Sequence, residues 1–188
     1  MKKKLLMAAG ILICLIVGTL GTLTYFTAED KAHNVITSGA IDIELHEWTL
    51  DSNGEKIPYE DVDGIMPDDV VSKIVEIENI GSNPAWVRIA VDKAITFAEE
   101  HSSETPDLNL IILDIDTENW ILNDGFYHYK YILEPGEVTT PLFETVTFDA
   151  SMGNKYMKST IKIDVTAYAT QSANNGTTVL EAAGWPAP

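Results

Sequence analysis

Alternation of apolar and polar residues over positions 160–170 is the feature of this sequence that most restricts its fold. Ile161, Ile163 and Val165 are separated by single polar residues, and the pattern continues with alanines at every second position up to 169. Successive side chains of a strand point to opposite faces of a sheet, so the pattern predicts a strand with one buried and one exposed face. Half-buried strands of this kind are typical of antiparallel sheets.

Three further segments, 41–46, 71–79 and 85–92, have the alternation or the composition of strands. The last two are separated by the sequence Asn-Ile-Gly-Ser-Asn-Pro at 79–84, which is rich in turn-forming residues. This arrangement predicts that the two segments are neighbouring strands joined by a loop.

A second turn signal, Asn-Asp-Gly at 123–125, predicts a hairpin between strands at 120–122 and 126–133. Helical patterns are few. We expect only short helices, one at 93–101 and another at 175–183, because neither segment has the long apolar stripe with a period of 3.6 residues that a longer helix would have.

Many short strands and few helices predict an all-β fold. We expect an antiparallel β-sandwich, jelly-roll-like or immunoglobulin-like, with one or two short helices. Both topologies stay open, because alternation does not indicate strand order. The 188 residues suffice for one domain with a packed core.

The N-terminus has the organisation of a secretory signal peptide. Lys2, Lys3 and Lys4 precede an uncharged, mostly apolar stretch at 5–26, and small residues follow its most apolar part. We predict that residues 1–24 are cleaved and that the protein is secreted. The alternative is a retained anchor, since the stretch is long enough to cross a bilayer core of about 30 Å.

Charge and cysteine content exclude several classes of function. The chain has 12 Lys and Arg against 29 Asp and Glu, a formal net charge of −17, so a nucleic-acid partner is not expected. Cys14 is the single cysteine and lies within the predicted leader. A disulfide framework and a multi-cysteine metal site are therefore excluded.

Two sequences near the end of the leader carry a family resemblance. Gly-Thr-Leu-Thr-Tyr-Phe-Thr-Ala at 21–28 and Ser-Gly-Ala-Ile-Asp-Ile at 38–43 resemble the signal-peptide junction of the TasA/camelysin family of exported bacterial proteins. A weaker similarity extends over 66–82 and 120–143. The resemblance implies cleavage between Thr24 and Tyr25 by a dedicated signal peptidase of the SipW kind.

The resemblance also implies a function, that of a secreted structural subunit of extracellular fibres in the biofilm matrix or at the cell surface. Such subunits self-associate, with other matrix proteins as further partners, and the N-terminal segment of one adds as a strand to the next. Here that donor segment would be 25–38, with Tyr25, Phe26, Val35 and Ile36 as its apolar anchors. From the residues alone, the segment could instead pair within its own domain.

These expectations divide the chain into four parts. Residues 1–24 form the signal peptide, 25–38 the N-terminal donor segment, 39–171 the sandwich and 172–188 a C-terminal tail.

Enzymatic signatures are lacking in the sequence. Camelysin relatives are described as metallopeptidases, but His33, His46, His101 and His128 have no His-Glu-x-x-His spacing. Nucleophile-elbow and phosphate-loop motifs are also absent from the sequence. We therefore expect no enzymatic activity and nominate no catalytic residue, metal ligand or cofactor. A camelysin-like secreted metallopeptidase and a membrane-tethered accessory or binding module remain the alternatives, and three histidines could still converge in space.

Two acidic segments, 114–118 and 61–69, have the oxygen ligands that calcium prefers. The first lacks the glycine and the glutamate that an EF-hand loop requires at its sixth and twelfth positions. We interpret both segments as solvated acidic loops.

Overall fold

Strands dominate the part of the chain that the computed structural model describes, which comprises residues 26–29, 34–37 and 41–187. The strands in this part are β1 (Phe26–Glu29), β2 (Asn34–Thr37), β3 (Glu44–Leu50), β4 (Lys56–Pro58), β5 (Val62–Ile65), β6 (Val70–Ser72), β7 (Ile74–Glu78), β8 (Ala85–Thr96), β9 (Ile111–Leu113), β10 (Trp120–Asn123), β11 (Phe126–Tyr129), β12 (Thr145–Phe148) and β13 (Thr160–Gln171). Three short 3₁₀ turns, Glu99–His101, Leu108–Leu110 and Asn154–Tyr156, complete the regular structure of these residues. Among them, no helix is long and apolar enough to cross a membrane.

The strands form one large and two small sheets. The large sheet has the order β10-β11-β8-β13-β1-β5, with β2 also paired to β13, and the small sheets have the orders β6-β12-β9 and β4-β3-β7. Buried apolar residues from all three sheets and from the loops between them form one core, including Leu45, Ile77, Ile89, Ile111, Phe143, Phe148 and Ile161. The predicted all-β sandwich is confirmed.

The centre of the large sheet is the antiparallel pair β8 and β13. Their registers match over twelve positions, from Thr160 opposite Thr96 to Gln171 opposite Ala85. The alternation that predicts β13 corresponds to its burial, because Ile161, Ile163 and Val165 are buried while the polar residues between them are partly exposed. The strand at 160–170 is therefore confirmed almost to the residue.

Neither predicted helix forms. Residues 93–96 extend β8, where they pair with β13, and only Glu99–His101 makes a 3₁₀ turn. Long-range pairing with β13 satisfies the backbone of this segment, so its weak helical pattern is overridden. Residues 175–183 form isolated turns, held for example by the bond from Glu181 N–H to Thr178 O.

The two strands around the turn at 79–84 do not pair with each other. The first segment breaks at Lys73 into β6 and β7, and β7 pairs with β3, whereas β8 pairs with β11 and β13. The loop thus crosses from one sheet to another. The buried Asn79 fixes this crossing, because its Nδ2 donates to Leu133 O at 2.8 Å and to Asn83 O at 2.9 Å.

The hairpin at 120–133 is confirmed, although its second strand ends at Tyr129. Trp120 pairs with Tyr129 and Asn123 with Phe126. Asp124 and Gly125 both have positive φ, 48° and 81°, as the two-residue hairpin turn with mirror-image geometry requires.

Candidate functional site

The N-terminal segment lies along one side of β13. β1 pairs with it from Thr27 opposite Thr160 to Glu29 opposite Lys162, and β2 pairs with it farther along, from Asn34 to Thr37. Both pairings are parallel, whereas every other pair among the described strands is antiparallel. The segment is therefore an addition to a sheet that is otherwise antiparallel.

The described anchors of the predicted donor segment all lie in these two strands. Phe26 belongs to β1 and is in register with Ile65 of β5. Val35 is opposite Ala167 and Ile36 is opposite Tyr168, with Ile36 half-buried. Thr24 and Tyr25, the predicted cleavage pair, lie outside the described residues.

The segment pairs with β13 of its own chain. Pairing within its own domain is the alternative to strand donation that the sequence leaves open. β8 covers the opposite side of β13. Without β1 and β2, the backbone groups of 160–162 and 166–169 on the second side would lose their partners. An uncovered strand edge of this kind readily pairs with another chain.

The C-terminal segment, predicted as a tail, folds back on the far end of the same sheet. Trp86 Nε1 of β8 donates to Asn175 O at 2.9 Å, and Thr170 Oγ1 of β13 donates to Ala183 O at 3.1 Å. Val179 is buried. These contacts close the end of the β8–β13 pair.

A cationic and aromatic cluster lies under this segment. The guanidinium of Arg88 on β8 is 3.8 Å from the ring of Phe126 and 4.4 Å from that of Trp185. His128 of β11, opposite Arg88 in register and only 4% exposed, has its ring 5.6 Å from Trp185. Burial, and secondly the charge of Arg88, hold the pKa of His128 below its usual range, while a hydrogen bond with the Asn123 backbone and, more weakly, the charge of Asp124 oppose this shift.

The free energy of unfolding should therefore decrease as the pH is lowered below about 6.5, the pKa of an unperturbed histidine. The unfolded chain takes up a proton at His128 before the folded chain does, because its pKa is lower in the folded state. The contribution is fully present above the unfolded pKa and is lost as pH falls toward the folded pKa. Urea midpoints measured between pH 7.5 and pH 5 should show this decline.

The variant His128→Gln should have a smaller decline than the parent chain, and Trp185→Ala should also reduce it by admitting water to the ring. An equally steep decline in His128→Gln would assign the pH dependence to other groups.

The two acidic segments carry exposed carboxylates, several of which hold turns. Asp114 Oδ1 accepts from the backbone N–H groups of Glu144 and Thr145. In Asp116, hydrogen bonds lower the pKa, the largest effect coming from the Asn119 side chain. Residues 114–118 form a loop, as predicted, whereas 62–65 of the second segment form β5 and pair with β1, so the prediction of a loop is wrong for that part.

One cluster of possible metal ligands among the described residues corresponds to no metal-binding motif in the sequence. Glu44 and His46 of β3 approach Glu78 of β7, and His46 Nε2 is 2.8 Å from Glu78 Oε2. The Glu-x-His spacing places the first two on one face of a strand, but the pairing with Glu78 depends on register, which the sequence does not indicate. His33 lies outside the described residues.

In comparisons with known proteins, no family model and no curated protein matches this chain.

Proposed function

We propose that the chain is a secreted structural subunit of biofilm-matrix or cell-surface fibres, released from its leader by a dedicated signal peptidase. Subunits assemble when the N-terminal segment of one copy pairs with β13 of the next. The observation that carries this proposal is the parallel pairing of β1 and β2 with β13. In this proposal β1 and β2 are the strands that are exchanged, and β13 is the edge that receives them.

Exchange of this segment between copies requires no new kind of contact. The backbone pairings that the segment makes with its own β13 and β5 would be made with β13 and β5 of a neighbour, so the enthalpies of the two arrangements are similar. The segment precedes the remainder of the fold, so it can leave without threading the chain. Because donor segment and acceptor edge are different surfaces, repeated exchange gives an open filament rather than a closed ring.

Cysteine cross-linking tests this exchange directly, since Cys14 lies in the leader and the chain from Tyr25 onward has no cysteine. Asn34 and Thr166 are register partners on β2 and β13. The single variants Asn34→Cys and Thr166→Cys, each starting at Tyr25, are mixed under oxidising conditions. A disulfide-linked heterodimer is expected, because the segment of one variant lies on β13 of the other at a separation that a disulfide can bridge.

The matched control mixes Asn34→Cys with Asn109→Cys, whose cysteine lies in an exposed turn outside β13. This mixture should give only the background of random oxidation. About 0.15 M salt is needed in both, since it limits the repulsion between acidic chains to roughly 8 Å. Equal heterodimer yields in the two mixtures would refute strand exchange. In the double variant Asn34→Cys, Thr166→Cys, a disulfide between the two introduced cysteines of one chain would hold the segment on its own β13. Filaments formed by chains with this intrachain disulfide would also refute strand exchange.

A further inference from the structure

Three side chains with metal-binding chemistry meet on the outer face of the β3–β7 pair. Glu44 and His46 are two residues apart on β3 and lie on one face, and Glu78 is directly opposite Glu44 in the antiparallel register. Each offers one ligand atom, and these atoms all lie within 4.8 Å of one another. We propose that Glu44, His46 and Glu78 bind one divalent transition-metal ion, for which Zn²⁺ fits best.

The pairing of two glutamates supplies an electrostatic reason for a cation. Like charges directly opposite each other on neighbouring strands are destabilising. Among the described residues, no lysine or arginine forms an ion pair with Glu44 or Glu78. A divalent ion between the two carboxylates would convert this repulsion into attraction, and the net charge of −17 favours cations over the whole surface.

Neighbouring side chains hold the imidazole in place. Trp48 stacks on His46 with ring centroids 5.1 Å apart and an interplanar angle of 24°. Trp48 is itself fixed, because its Nε1 donates to Glu76 Oε1 at 2.9 Å. The other carboxylate oxygen of Glu76 accepts a hydrogen bond from Lys56 Nζ at 2.8 Å. This ammonium is thus paired with a carboxylate that is not one of the proposed ligands. Such surrounding contacts orient ligands in metal sites.

The donor set selects the class of ion. One imidazole and two carboxylates suit Zn²⁺ and related transition metals, whereas Ca²⁺ prefers six to eight oxygens. Ligand bonds to zinc are about 2.0–2.2 Å long, so the ligand atoms of one ion are up to roughly 4 Å apart. The exposed side chain of Glu44 can rotate to reach this distance. The remaining coordination positions face solvent.

This site is independent of the proposed fibre function, because β3 and β7 belong to a different sheet from β13. Failure of the strand-exchange test would leave it unaffected.

Isothermal titration calorimetry with ZnCl₂ tests the site on the chain from Tyr25 onward, which contains every described residue. The parent chain should bind one Zn²⁺ with a Kd of about 10 μM or lower. His46→Ala and Glu78→Gln should each weaken binding by about tenfold or more. CaCl₂ should give no comparable saturable binding. As a second readout, Co²⁺ should quench tryptophan fluorescence, and Trp48→Phe should remove that quenching.

The matched control is His101→Ala. His101 Nδ1 makes a similar contact with Glu104, at 2.9 Å, but Lys155 Nζ approaches that carboxylate at 3.6 Å. This variant should bind Zn²⁺ as the parent does. Absence of saturable binding by the parent would overturn the proposal, as would unchanged affinity in His46→Ala or lost affinity in His101→Ala. If His46→Ala has a lowered melting temperature without metal, Glu44→Gln replaces it in the test, because the Glu44 side chain is exposed. Weaker Zn²⁺ binding by Glu44→Gln would support the site, and unchanged affinity would overturn it.

Discussion

Replacing Lys73 with alanine is expected to lower the free energy of unfolding by about 3–5 kcal/mol. Lys73 lies between β6 and β7 and is only 2% exposed. Its Nζ is 3.1 Å from Oε1 of the buried Glu47 and 3.9 Å from the centre of the Tyr59 ring. Removal of the ammonium would leave the carboxylate of Glu47 buried without its countercharge, which costs far more than the loss of an exposed pair.

Urea denaturation at neutral pH measures this effect, and Lys56→Ala is the matched control. Lys56 also pairs with a glutamate, Glu76 of β7, whose side chain is only 10% exposed, but that of Lys56 is 45% exposed. Without Lys56, Glu76 would keep the hydrogen bond from Trp48 Nε1, and water could replace the exposed ammonium. This second variant should lose no more than about 1 kcal/mol. The double variant Lys73→Met, Glu47→Gln should recover part of the loss, because neither charge is then buried alone. Similar losses in Lys73→Ala and Lys56→Ala would show that the buried pair has no special role.

Deletion of residues 25–38 from the form starting at Tyr25 is expected to abolish filament formation. The deletion removes β1 and β2, so the chain keeps the acceptor edge of β13 but has no strand to donate. A subunit that can only receive a strand terminates assembly. Electron microscopy and sedimentation of the truncated chain, beside the form starting at Tyr25, measure the difference.

Two controls separate loss of assembly from loss of folding. The truncated chain should bind a synthetic peptide of residues 25–38, and a peptide of the same composition in scrambled order should not bind. Added in excess to the longer form, the peptide should shorten filaments by occupying β13. Filaments of normal length from the truncated chain would refute the proposed role of the segment.

Local pattern predicts the strands that carry their own signal. The alternation at 160–170 indicates β13, because apolar residues at every second position suit no other regular structure. The Asp-Gly turn at 124–125 indicates the β10–β11 hairpin, because both residues tolerate a positive φ. In each case the physical cause lies within a few residues of the chain.

Long-range pairing explains what the sequence does not indicate. Residues 93–96 become strand only because β13 extends far enough to pair with them. The loop at 79–84 crosses between sheets, although its turn-forming residues equally suit a hairpin. Similarly, Glu78 lies opposite Glu44 because of the register of β3 and β7. A slip of one residue in that register would change the partner of every residue in the pair.

A short tether limits how far apart exchanging subunits could be. β2 ends at Thr37, and the buried Ile41 already belongs to the core, so only three residues lie between them. A fully extended chain advances by at most about 3.6 Å per residue, which gives a reach of about 14 Å. The acceptor domain would therefore have to touch the domain that donates the strand. Filaments built in this way would be stiff, with a repeat set by the width of the domain, and would have a single polarity because every subunit donates at one surface and accepts at another.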